Sequence, residues 1–194
     1  MNQTTKLLMA AGLLLTATTA AAHTGHGAHA ESGFLSGLLH PMLGLDHLLA
    51  MAAIGFWGVR QNNLMKNATP AFVIGGMVLG AALAWGGLSQ PGVETGITFS
   101  VLVAGILIAT LAKLPAAVGG VLVGAFMLFH GFAHGTEMPE GATLAVYLAG
   151  FSIATLAITL VGRGLGSLML KADSRFSRGV GGVLAVVGAY LAAA

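Results

Sequence analysis

The stretch "HPMLGLDHLLAM", residues 40–51, sets His40, Asp46 and His47 at the head of an apolar run, and "FHGFAHGTEMP", residues 129–139, sets His130, His134 and Glu137 at the tail of another. On a water-facing helix such groups would be ordinary. Here they occur in a chain of 194 residues that is 56% hydrophobic and 7% charged, with a mean hydropathy of +0.90, too apolar for a soluble domain. The fold class that follows is all-α: a polytopic membrane helix bundle, with the polar groups of 40–51 inside the bilayer. On a straight helix Asp46 lies roughly 18 Å along the axis from Phe34. An ionised carboxylate at that depth costs about 2.5–3.5 kcal/mol, so Asp46 should face the protein interior and find a cation or a donor. A structural Asp–His hydrogen bond is the plain alternative.

Outward from this stretch, apolar runs near the bilayer-crossing length of about 20 residues cover 34–59, 70–88, 96–112, 115–134, 142–162 and 179–194. These predict six transmembrane helices over residues 34–194. The separators "RQNNLMKNATP", "SQPGVE", "KLP", "GTEMPEG" and "RGLGSLMLKADSRFSR" are polar or rich in Gly and Pro. Residues 1–22, with Lys6, an apolar run from Leu7 to about Ala17 and Ala20-Ala21-Ala22 before His23, have the pattern of a cleaved bacterial signal peptide. An uncleaved first span is the alternative, disfavoured by the shortness of the run.

Arg60, Lys66, Lys113, Arg163, Lys171, Arg175 and Arg178 all fall in the first, third and fifth connections, whereas Glu94, Glu137 and Glu140 occupy the second and fourth. The positive-inside rule then predicts an inner-membrane protein with both mature termini periplasmic. Trp57 and Trp85 are expected at the interfaces. Small-xxx-small spacings such as Gly76/Gly80 and Gly120/Gly124 predict close helix contacts, within one chain or in a homo-oligomer. The net charge of +2 and pI near 9.3 come without a basic patch, which argues against nucleic acid as a partner.

The chain has no cysteine, so thiolate sites and thiol catalysis are excluded. His, Asp and Glu remain, a donor set for borderline divalent ions: Ni2+, Co2+ or, as a further candidate, Zn2+. His130 and His134, one turn apart, can chelate one ion. His40 and His47 share a face, but about 10.5 Å of rise separates them on a straight helix. Either they act at successive depths, or Pro41 and Gly44 distort the helix and draw them together. The alternation of spans puts both clusters on the periplasmic side, where they could meet. A weaker candidate is the His-rich segment 23–33, where His23, His26 and His29 could capture an ion or form a solvated tail of no consequence.

The two motifs resemble those of the HupE/UreJ family of bacterial membrane proteins. The pattern HPxxGxDHxxxMxxxG is met by His40, Pro41, Gly44, Asp46, His47, Met51 and Gly55, and FHGxAHGxExP by Phe129, His130, Gly131, Ala133, His134, Gly135, Glu137 and Pro139. The resemblance implies a secondary nickel or cobalt permease, not an enzyme, supplying hydrogenase, urease or cobalamin pathways. It further implies that His40, Asp46, His47, His130, His134 and Glu137 bind the transported ion. No nucleotide-binding loop is present and no prosthetic group is expected. The alternative from another class is an intramembrane zinc-dependent hydrolase, with Asp46, His47, His130 and His134 as ligands and Glu137 as base. Bis-His haem ligation is a more distant third.

Overall fold

A computed structural model describes residues 33–139 and 141–193. The predicted signal segment, His23, His26, His29 and Glu140 lie outside the described residues. All regular structure among those described is helical: α1 (Gly33–Leu43), α2 (Leu45–Gly58), α3 (Asn63–Trp85), α4 (Val93–Ala109), α5 (Ala116–Thr136), α6 (Leu144–Met169) and α7 (Ser174–Ala193).

The predicted single helix over 34–59 is two helices, α1 and α2, meeting at 79°. Pro41 removes one N–H from the last turn of α1. Gly44 then leaves helical geometry, with φ −83° and ψ 114°, and caps α2. The new helix starts with Leu48 N donating to the Gly44 carbonyl at 2.9 Å.

Of the remaining helices, α3, α5, α6 and α7 are each long and apolar enough to cross a membrane, and the bent pair α1–α2 makes a fifth candidate. The run predicted as a span over 96–112 forms α4, an apolar helix of 17 residues. Helix ends also differ from the apolar runs. α3 begins at Asn63, where the Asn62 side chain accepts from Met65 N at 2.8 Å, and α6 continues past Arg163 to Met169. Hydropathy follows side-chain composition, whereas a helix runs on as long as its backbone hydrogen bonds continue.

Glycine sets the helix pairing. A Cβ at Gly76 would meet the Gly124 carbonyl at 2.6 Å, and one at Gly80 would overlap the Leu128 carbonyl, so α3 lies backbone to backbone on α5. The second predicted pair behaves differently. Gly120 makes room for the Phe72 ring, and a Cβ at Gly124 would meet nothing within 4 Å. Gly181 and Gly188 bring α7 onto α4, Gly37 and Gly150 seat α1 across α6, and Gly55 and Gly162 do the same for α2 and α6.

Met51, Met77, Met127, Tyr147 and Phe151 fill the core, while Val121, Val186 and Tyr190 point outward. Trp57 is buried within the bundle, its indole N–H donating to the Ala112 carbonyl at 3.0 Å. Gln61 donates to the same carbonyl at 3.0 Å and accepts from Leu114 N at 3.0 Å, and Arg60 donates to Ser177 Oγ at 2.8 Å. These contacts gather the first, third and fifth connections at one end of the bundle. At the other end Trp85 donates to the Gly135 carbonyl at 2.9 Å.

Candidate metal centre

The break at Gly44 decides the geometry of the site. By turning α1 away from the axis of α2, it places the His40 ring 6.4 Å from the His47 ring and 4.8 Å from that of His134. His47 lies 4.8 Å from both His130 and His134. Four imidazoles from two distant motifs thus form a continuous row, His130, His47, His134, His40, with Asp46 beside one member and Glu137 beside another. The six residues singled out in the sequence come together. The helix is distorted at Pro41 and Gly44, which leaves the His40 and His47 rings 6.4 Å apart.

Each ring is held differently. Asp46, in the first turn of α2, accepts at Oδ1 both from His47 backbone N at 2.7 Å and from His47 Nδ1 at 2.9 Å. With its Nδ1 proton directed at the carboxylate, His47 keeps a lone pair on Nε2, which is buried and has no hydrogen-bond partner. His130 donates through Nδ1 to the Phe126 carbonyl at 2.9 Å, one turn back, and its Nε2 is likewise buried without a partner. Neither nitrogen of His134 has a partner, though the residue is 0% exposed. Unpaired nitrogens of this kind are costly inside an apolar bundle, and the free lone pair on each ring is one that a metal ion could take.

His40 and Glu137 close the outer side of the row. His40 Nε2 donates to Glu137 Oε2 at 2.7 Å, and both side chains are partly exposed. Glu137 caps the end of α5, just beyond the apolar helix. The hydrogen bond from His40 holds its carboxyl below the usual carboxylate range, against the opposing effect of partial burial. One ligand atom each from His40, His134 and Glu137 lie within 4.8 Å of one another, a separation that a single ion could bridge.

Residues not singled out in the sequence complete the walls. Phe151 of α6 stacks on His134, with ring centroids 5.1 Å apart and planes at 10°, and Tyr147 packs on Phe151. An aromatic residue inside an apolar run carries no signal of such a role. Met51 and Met127 are core packing, and Met42 is half exposed on α1.

The HupE / UreJ protein family matches residues 11–191. Protein HupE of Rhizobium leguminosarum bv. viciae is 40% identical over 171 residues, covering 88% of this chain and 89% of that protein. No solved structure is significantly similar to the chain. Neither comparison supports the hydrolase alternative, and on the extent of the first and the identity of the second the chain belongs to the HupE / UreJ family.

Proposed function

We propose that the protein is a secondary permease that carries Ni2+ or Co2+ from the periplasm to the cytoplasm, with the ion as substrate rather than resident cofactor. The observation that carries this reading is the row of four imidazoles with two carboxylates in the interior of an apolar bundle. Neutral nitrogen and carboxylate oxygen suit borderline divalent ions. Family membership supports the same reading.

In this account the chain crosses the inner membrane six times, with α1–α2 as one broken crossing and α4 as a short one. The basic end, near Arg60, Lys113 and Ser177, faces the cytoplasm, and Glu137 faces the periplasm. Inward movement of a divalent ion is driven by the membrane potential, worth ~2.3 kcal/mol per charge per 100 mV and twice that for a dication. His40, His134 and Glu137 take the ion first. His47, oriented by Asp46, and His130 receive it deeper in the bundle, and delivery serves hydrogenase, urease or cobalamin synthesis.

The test is accumulation of labelled nickel and cobalt by cells expressing the chain, with each ion and zinc as competitors. Uptake of one or both above the empty-vector level, lost on His134→Ala at equal membrane abundance, is expected. Equal uptake by the wild type and the variant would remove the site from transport.

A further inference from the structure

Among the described residues, two hydroxyls outside both motifs are buried without a hydrogen-bond partner: Tyr147 Oη and Thr155 Oγ1. Both residues are 0% exposed and lie on α6. Eight positions apart, they share one helix face, separated by about 12 Å of rise. Phe151 lies midway between them, and it is the ring stacked on His134. The face that carries the two hydroxyls is therefore the face that walls the imidazole row. Tyr147 lies on the His40 side, where its carbonyl is the surface on which Gly37 of α1 packs. Thr155 lies one turn beyond Phe151 toward the opposite end.

Thr155 also departs from the other membrane threonines. Thr69, Thr110 and Thr159 each return their hydroxyl to the carbonyl one turn back, at 2.7, 2.7 and 2.8 Å. Thr155 does not. An unpaired buried hydroxyl is destabilising, and valine would fill nearly the same volume without that cost. Between α2, α4 and α5, a void of about 10 Å³ against Ile54, Trp57, Val123 and Phe126 is too small and too apolar for a hydrated ion.

We propose that Tyr147 and Thr155 are oxygen way-stations on the ion's path, their hydroxyl oxygens replacing water on the divalent ion before and after the imidazoles hold it. The proposal rests on the transport reading above and adds the route, along α6. Neutral hydroxyl oxygens are weak ligands for Ni2+ and Co2+, which lets the ion move on rather than remain at the nitrogen donors.

Tyr147→Phe and Thr155→Val remove the hydroxyls and little else. Both variants are expected at wild-type membrane abundance, with unchanged nickel affinity in detergent because the imidazoles are intact. In labelled-nickel uptake, Tyr147→Phe should raise the apparent KM about threefold, and Thr155→Val should lower the maximal rate about tenfold at unchanged KM. Thr155→Ser should restore the rate. Wild-type kinetics in either variant overturns the proposal, as does loss of nickel binding in Thr155→Val, which would make Thr155 part of the nitrogen site. A wild type that accumulates neither nickel nor cobalt overturns the transport reading itself, a result distinguished by the absence of any activity against which to score the variants.

Discussion

Asp46 acts through His47. Its carboxylate accepts from the His47 backbone N and from ring Nδ1, which leaves the Nε2 lone pair free. Loss of such a partner typically costs 10–100-fold in metal affinity, so Asp46→Asn should weaken nickel binding by about that factor without loss of folded protein, as isothermal titration can measure. Glu137 responds to pH differently. Its folded-state pKa is depressed, so the contribution of its pair with His40 is complete above the ordinary carboxylate value and fades only as pH falls through the lower folded value. Acid loss of metal binding above the ordinary carboxylate range therefore does not arise from Glu137. The six polar residues were legible in the sequence because charge and imidazole stand out in a lipid-soluble chain. Phe151, Tyr147 and Thr155 were not, because aromatic and hydroxyl groups are common within apolar helices. The inward turn of Trp57 was hidden too, because the Ala112 carbonyl that its indole reaches belongs to a distant connection.

At the scale of the element, the break between α1 and α2 turns two motifs into one site. Straight-helix arithmetic separates His40 from His47, and only a sharp turn removes that separation. Pro41 and Gly44 marked where a turn could occur. Its angle of 79° was not legible, because it depends on α1 lying across α6 through Gly37 and Gly150. The backbone at Gly44 is open to any residue, yet a Cβ there would lie 3.1 Å from Asp46 Oδ1 and 3.2 Å from His47 Nδ1. Gly44→Ala should therefore disturb that pair and weaken nickel binding about tenfold. Gly124→Ala, with open space around its Cβ, should bind as the wild type does. The α3–α5 seam is a matter of stability instead. Gly80→Ala forces a methyl onto the Leu128 carbonyl and should cost about 1–3 kcal/mol, seen as a lower melting temperature in detergent.

For the whole molecule, hydropathy and charge gave the helical class and the number of apolar runs, but not the helix lengths or the pairing. Lengths escaped because helices continue beyond their apolar runs, as α6 does past Arg163. Pairing escaped because glycine spacing shows that a close contact exists without naming its partner: Gly76 and Gly80 could have faced any helix before α5 was seen against them. Orientation is directly testable, since the chain has no cysteine. In intact spheroplasts an impermeant thiol reagent should label Ser89→Cys, whereas Ala172→Cys should react only after permeabilisation. The opposite pattern would reverse the proposed direction of the bundle. The central claim, that the two motifs form one imidazole-rich site for a divalent ion, is tested most directly by X-ray absorption on the purified protein loaded with one equivalent of nickel. The account predicts outer-shell scattering from at least two imidazoles that diminishes in His134→Ala. A shell of oxygen alone, or a spectrum unchanged in that variant, would contradict it.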